Sequence, residues 1–459
     1  MTPVQVIGIG LDGLDGLTES VRQIVEQATV LVGSDRHLSY FPNHPGDRLP
    51  LGNFRHLLET IRHLVDSRNT ESPQESEVRS QEPGARSQEP ESTHHTPFIA
   101  ILTSGDPLFF GLGRLLLAEL PAAWLTFHPH LSAVQLAFSR VKTSWQDARL
   151  VSAHGRSLEE LTLALQQGAE KIAVLTDGTN TPGAIARLLL ALDLPAHYTC
   201  WVCENLGSSD EQIQSFRADD LIDRTFAPLN VVILLRSAQS LENALDVSTL
   251  PALGVPDHCF LSFSDRPGLI TKREVRLLAL GELALQSGQT IWDVGAGTGS
   301  VSIEMARLFP SSKIYAIEKT AAGITLIQQN SGRFRVQNVH AVYGSAPAAL
   351  SGLPEPDRIF IGGSGGQLDQ ILDACSEKIH LTGVIVVAIA TVEHLSMAFA
   401  WLDQQRTKGQ HWTHRLLQAQ LSRSVPVGPL TRLSPLNPVT LVTLEKGERR
   451  SQKSEARSQ

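Results

Sequence analysis

The sequence predicts an α/β protein of two domains, on three observations. Its 459 residues exceed what one ordinary core organises. Short apolar runs alternate with helix-patterned stretches along most of the chain. Two of those runs lead straight into glycine-rich turns, at residues 8–18 and 293–299.

In chain order, VQVIGIG, PFIAILT, KIAVLTD and NVVILL read as strands, and residues 158–167 and 182–192 as helices, which makes 1–237 one α/β domain. Within it, residues 67–97 collapse to Ser, Gln, Glu, Pro, Arg and Thr, with RSQEP occurring twice. Such a segment buries too little apolar surface to offset its ordering entropy, so a disordered insertion is expected. Residues 238–253 read as a linker. A second series then follows over 254–447: a helix at 272–285, strand TIWDV, a helix at 300–309, and strands KIYAIE, RIFIG and GVIVVAI. This predicts a second domain on a largely parallel sheet. Residues 448–459 have the composition of a disordered tail.

The 39 Lys and Arg against 47 Asp and Glu give a net charge of −8, the wrong sign for affinity built on many phosphate contacts. No apolar run approaches the roughly 20 residues of a membrane helix, and the first residues lack a signal-peptide pattern. A cytoplasmic protein with neither nucleic acid nor membrane as partner is expected. Of four cysteines, Cys200 and Cys203 form a C-x-x-C that invites a redox or zinc reading. They lie in YTCWVCEN, which reads as a strand, so buried structural thiols on opposite faces are expected instead. The 16 histidines show no ligand cassette, and His94-His95 fall in the insertion, so no metal site is expected.

In IWDVGAGTGSVSIE a strand runs into glycines and then a helix, which places Gly295, Gly297 and Gly299 at the carboxyl edge of the sheet, where open α/β folds bind ligands. Glycine tolerates positive φ there and lets the backbone close on a ligand. Glu318 ends the next strand, where a carboxylate accepts ribose hydroxyls. A dinucleotide fingerprint needs a third glycine where this chain has Ser300. Asp293, just ahead of the turn, sets a negative charge that suits an ammonium and a sulfonium better than a pyrophosphate. The cofactor read from this turn is S-adenosyl-L-methionine, with Asp293, Ala296 and Thr298 beside the glycines.

PGLITKREVR (267–276), WDVGAGTGSVSIE (292–304), YAIEK (315–319), FIGGSGG (360–366) and LNPVTLVTLEK (436–446) together resemble the carbon-15 methylating, decarboxylating part of precorrin-6Y methyltransferases of cobalamin biosynthesis. The resemblance implies a Rossmann-like class I methyltransferase fold in which Thr271, the 295–299 turn, Glu318 and Ala346 contact the cofactor. GIGLDGLDGLT (8–18), TSGDPLFFGLG (103–113), LSAVQLAF (131–138), WQDARLVSAHGR (145–156), LTDGTNTPGAIA (175–186) and CENLGSSDE (203–211) resemble the carbon-5 methylating member of the tetrapyrrole methylase family. That implies a bilobal tetrapyrrole methylase fold with a second cofactor molecule against Gly10, Gly105, Asp106, Ser132 and Ala133. His130 stands where many relatives have glycine.

Methyl transfer from a sulfonium is an in-line displacement that needs alignment and exclusion of water. A tetrapyrrole with acetate and propionate arms is a polyanion, so basic groups are expected at each mouth: Lys272, Arg273, Arg276 and Arg423, with Lys272 placed best for a substrate carboxylate. The resulting reading is a bifunctional enzyme, expected as a homo-oligomer, that methylates precorrin-6B at carbons 5 and 15 and decarboxylates its carbon-12 acetate to give precorrin-8. Two rivals stay open: an RNA or protein methyltransferase, and a single-site enzyme whose N-terminal domain only holds the tetrapyrrole.

Overall fold

The computed structural model describes residues 3–52, 54–70, 98–237, 245–427 and 430–447. The expected tail lies outside them. So does the expected insertion, except for 67–70, which continue the helix Phe54–Thr70.

Two sheets share the first 237 residues. In the first, β1 (Val4–Ile9), β2 (Val30–Gly33), β3 (Asp47–Pro50), β4 (Ile99–Ser104) and β5 (Leu125–His128) lie in the order β3-β2-β4-β1-β5, all parallel. Parallel strands covered on both faces read as continuous apolar runs, which is why VQVIGI shows no polar alternation. Its Val4 and Val6 pack with Ile99 and Ile101 on one face, and Ile7 and Ile9 with Leu102 on the other. The second sheet holds β6 (Arg149–Ser152), β7 (Lys171–Leu175), β8 (Tyr198–Glu204), β9 (Gln212–Phe216) and β10 (Asn230–Arg236), ordered β6-β7-β10-β8-β9. Only β6 and β7 are parallel there. Two separate sheets make the two lobes that the sequence implied.

Cys200 and Cys203 lie on β8, three residues apart, and enter different cores on its two faces. Both are buried free thiols pushed up to about 12 by burial. On opposite faces of one strand, the two thiols cannot meet in one disulfide or at one metal ion.

The third sheet uses β11 (Thr290–Val294), β12 (Lys313–Glu318), β13 (Val339–Tyr343), β14 (Arg358–Ile361), β15 (Val384–Ile389), β16 (Trp412–Ala419) and, after the hairpin β17 (Ser422–Val427) and β18 (Leu430–Pro435), β19 (Val439–Lys446). Its order is β13-β12-β11-β14-β15-β19-β16. The first five run parallel, while β19 and β16 add antiparallel pairs at one side. The hairpin leaves this sheet and packs on the helix Pro182–Leu192, and its Val425 joins the core of the second sheet. The end of the expected linker also belongs to a core: Leu245 and Leu250 pack against the cluster of Val255, Phe260 and Phe334.

Arg276, expected among the substrate-facing cations, does not face a substrate. On the helix Arg273–Leu283 it shares a stripe with Ala279, Leu280 and Leu283, all buried, so helical periodicity drives it inward. Its guanidinium is 0% exposed and bonds Asp257 at 2.7 Å, Glu304 at 2.7 Å, and the carbonyls of Thr271 and Val255. Asp257 and Glu304 are equally buried. Asp257 also accepts the Arg273 amide at 3.0 Å, and Glu304 the Gly254 amide at 2.8 Å. Arg276→Ala leaves Glu304 buried without a counter-charge and Asp257 with only Arg423 as its partner, and is expected to cost about 3–5 kcal/mol. Arg266→Ala, at an exposed pair, is expected to cost under about 1 kcal/mol. Urea unfolding of the two variants checks this, and equal midpoints would refute it.

Candidate active sites at two sheet edges

The ends of β11, β12 and β14 open onto a cleft of about 1080 Å³. At its floor Gly295 and Gly297, and just behind them Gly299, adopt positive φ, at 74°, 57° and 78°. A Cβ on Gly295 would stand 2.4 Å from the Gly363 carbonyl oxygen, so the loop after β14 packs directly on the turn. A Cβ on Gly297 would meet nothing within 4 Å, which leaves its face open. Glu318 bridges the two strands: one oxygen accepts the Gly297 amide at 3.1 Å, the other the Thr320 amide at 2.9 Å and hydroxyl at 2.8 Å. The oxygen bonded to Thr320 has both lone pairs engaged, and the one bonded to the Gly297 amide retains acceptor capacity.

Of the residues singled out by sequence, Thr271, Lys272, Gly295, Ala296, Gly297, Thr298, Glu318 and Ala346 line this cleft. Gly299 instead caps the helix Ser300–Leu308 and abuts Ile327. Asp293 needs correction, because its carboxylate turns away from the cleft. Gly299, having no side chain, leaves the first amides of that helix uncapped, and Asp293 reaches from β11 to accept the Ser302 amide at 3.1 Å and hydroxyl at 2.5 Å. It is 1% exposed, and burial raises its carboxyl to about 6 against the opposing Ser302 bonds.

Lys272 projects into the cleft from the residue before the helix Arg273–Leu283. Among the described residues its ammonium makes no hydrogen bond or ion pair; burial pulls its pKa down and the nearby Asp257 charge opposes this. Arg423 also lines the cleft but is not free, since it bonds Glu274 at 2.7 Å and Asp257 at 3.1 Å. The exposed Arg273 lines a different cleft of about 1180 Å³ between the halves. What the sequence missed is the far wall: Gln166, Gln167 and Leu194 of the N-terminal half, and Val425 of the hairpin, face the same space. No local pattern marks such residues, because only docking of the halves brings them there.

The N-terminal glycine turn meets β4 and β5 at their carboxyl ends. A Cβ on Gly8 would strike the Gly105 carbonyl at 1.9 Å, and one on Gly10 the His130 ring at 2.8 Å. Gly105, at φ 64°, lies against Ser132. Gly10, Gly105, Ser132 and Ala133 are thus brought together. The Ser132 hydroxyl accepts the Gln135 amide at 3.2 Å and the Ser132 amide donates to the Gln135 side chain at 2.8 Å, a capping box that engages both groups. Asp106 accepts the Leu108 amide at 2.9 Å in an Asx turn. Beside Gly105 lies a group the sequence reading did not single out: Ser104, Arg36 and His37, with the Arg36 guanidinium 2.7 Å from the Ser104 hydroxyl.

Residues 3–222 match the tetrapyrrole (corrin/porphyrin) methylases, and residues 262–446 the precorrin methyltransferase domain. A precorrin-6Y C(5,15)-methyltransferase [decarboxylating] of Sinorhizobium sp is 33% identical over 432 residues, 94% of this chain and 93% of that protein. This chain belongs to that family. A member from Mycobacterium tuberculosis strain H37Rv is 30% identical over 89% of this chain and 93% of its own length. The cobalt-precorrin-6B C(15)-methyltransferase (decarboxylating) of Salmonella typhimurium is 37% identical over 42% of this chain but 96% of its own length. In the precorrin-6Y methyltransferase family, therefore, the third sheet's half corresponds to a protein that elsewhere stands alone.

Among the described residues no helix is long and apolar enough to cross a membrane, and no cluster of three His, Cys, Asp or Glu could hold a metal. One pH prediction follows from Asp293. Its folded carboxyl at about 6 lies above its ordinary 3.8, so protonation favours the folded state. Its contribution to stability is absent above about 6 and grows as pH falls toward 3.8. Asp293→Asn is expected to lose this dependence, so that its urea midpoint falls relative to the parent's between pH 7 and pH 4. A constant difference across that range would exclude the assignment.

Proposed function

We propose that this protein methylates precorrin-6B at carbons 5 and 15 with S-adenosyl-L-methionine and decarboxylates the carbon-12 acetate, giving precorrin-8. We further propose two catalytic units, residues 1–237 for carbon 5 and 254–447 for carbon 15. The observation that carries the reading is the 1080 Å³ cleft, where the open Gly297 turn, the oriented Glu318 carboxylate and the unpaired Lys272 ammonium face one space.

The residues fit the cofactor. Glu318, held by Gly297 and Thr320, presents the remaining lone pair of its Gly297-bonded oxygen to a ribose hydroxyl, and the glycine turn lets backbone come within contact of the ligand. When bound, S-adenosyl-L-methionine supplies an electrophilic methyl group. The chain's part is alignment: Thr271, Thr298 and Ala346 bound the space around the donor, and walls from both halves exclude water from the displacement. Lys272 receives a carboxylate arm of the acceptor, since a desolvated ammonium without a protein partner gains most from an anion that enters with it. Covalent fusion keeps the product of one unit at high effective concentration for the other.

Incubation of the full chain with precorrin-6B and the cofactor, with and without cobalt in the ring, tests the reading by mass spectrometry. Two methyl gains with loss of one carbon dioxide are expected. A single gain located at carbon 15 would reduce the N-terminal half to a holding module, and methylation of RNA or protein instead would replace the reading. Lys272→Met is expected to raise KM for precorrin at the carbon-15 reaction about tenfold or more, leaving cofactor affinity in place; steady-state kinetics check it, and an unchanged KM removes the role.

A further inference from the structure

Ser104 is the last residue of β4 and pairs in register with Ile9 of β1, immediately before Gly10. The Gly105 amide bonds the Ile9 carbonyl at 3.1 Å. Ser104 therefore stands on the ligand-binding edge of the first sheet, adjacent to the glycine turns. From the neighbouring β2, the short helix Asp35–Ser39 sends two side chains to it. The Arg36 Nη2 lies 2.7 Å from the Ser104 hydroxyl and 3.2 Å from the His37 Nε2, and the same Nε2 is 3.2 Å from that hydroxyl.

The chemistry of the three groups determines who donates. Arginine has no acceptor, so in its contact with the guanidinium His37 Nε2 is the acceptor, which corresponds to the neutral ring with its proton on Nδ1, buried without a hydrogen-bond partner. A neutral imidazole is consistent with its surroundings: His37 is 5% exposed, and burial, then the Arg36 charge, lower it to about 4. His37 and Ser104 thus grip one end of the guanidinium. Its Nε and Nη1 bond nothing among the described residues, and no carboxylate pairs with it. The acids on the glycine turns of this edge and at the helix start are engaged or exposed: Asp12 faces His130 at 3.6 Å, Asp106 accepts the Leu108 amide, and Asp35 is exposed. A half-buried guanidinium fixed by two neutral groups and left without a counter-ion is an arrangement that a surface arginine, free to reach solvent, does not need.

We infer that Arg36, held by Ser104 and His37, is a carboxylate anchor of the carbon-5 site. Its planar fork matches a carboxylate bidentately. The inference rests on the proposed methylation of a tetrapyrrole, which offers acetate and propionate arms. S-adenosyl-L-methionine carries a carboxylate too, so the shared chemistry has two sources. Arg36 would touch the ligand; His37 and Ser104 are positioning residues.

The experiment uses the full chain with Arg36→Gln and Arg36→Lys, and cofactor bearing a carbon-13 methyl, so that NMR resolves transfer to carbon 5 from transfer to carbon 15. Arg36→Gln is expected to raise KM for precorrin-6B at carbon 5 about 10- to 100-fold, the worth of a charged hydrogen-bond pair. The carbon-15 KM should stay unchanged, and Arg36→Lys should recover part of the loss. A rise in the carbon-5 KM for the cofactor instead would place the methionine carboxylate on Arg36. If neither KM moves in a variant with the parent's melting temperature, or both carbons suffer equally, the anchor is overturned. Equilibrium binding of precorrin-6B, followed by absorbance in the presence of S-adenosylhomocysteine, needs no turnover. A parent chain that binds without methylating would sink the catalytic reading alone, and loss of that binding in Arg36→Gln would still support the anchor.

Discussion

The buried guanidinium of Arg276 is the constraint on which the C-terminal half is assembled. With Asp257, Glu304 and Arg423 it forms a group of four charges, three of them without any solvent contact. Each member fixes a different piece of chain. Asp257 belongs to the segment arriving from the N-terminal half, Glu304 to the helix after the glycine turn, and Arg276 to the helix that follows Lys272. Its bond to the Thr271 carbonyl sets the loop that borders the cleft. A replacement by packed apolar residues could be as stable, since burying ions carries a large desolvation cost. What such a core would lack is direction: a guanidinium with four partners admits one arrangement of the elements around it.

The same cluster reaches the N-terminal half. Arg423 leaves the hairpin β17–β18 to bond Asp257, Glu274 and the Leu192 carbonyl at 3.2 Å. Burial alone would lower its pKa, but Glu274 and Asp257 hold it above the usual value, so it stays charged. Val425, two residues on, is buried in the other half's core. Around this joint Asp193 binds His258 at 2.5 Å, and Arg236 reaches the Ser264 carbonyl. The docking is polar where it must be directional and apolar where it seals. As a result, the cleft beside Gly297 borrows a wall from the half that carries the other glycine turn.

The two sheet edges solve one problem differently. Both need backbone close to a ligand and therefore use glycine at positive φ, and both then start a helix whose first amides need acceptors. Ser132 supplies its own acceptor through a capping box, which S-A-V-Q at 132–135 spells locally. Gly299 cannot, so Asp293 acts from the strand. An acid before such a turn reads as a cofactor contact in sequence, and its burial shows it to be a cap. Arg36 and His37 went unread for the opposite reason. An arginine and a histidine in a five-residue helix carry no pattern until β2 and β4 become neighbours.

Periodicity and turn chemistry, which are local, determined the strands, most helices, the two glycine turns and the structural nature of Cys200 and Cys203. These survive folding because backbone conformation and side-chain direction repeat every two or 3.6 residues along the element itself. Family motifs added the order of the two units and the identity of the cofactor edge. Tertiary structure alone decided the rest: that Arg276 points inward, that Asp293 serves a helix, that Lys272 stays unpaired, and that the hairpin crosses to the other half. The fate of a charge depends on which opposite charge arrives from elsewhere in the chain, as Asp257 and Glu304 do for Arg276 from 19 and 28 residues away. No short window of sequence contains both partners.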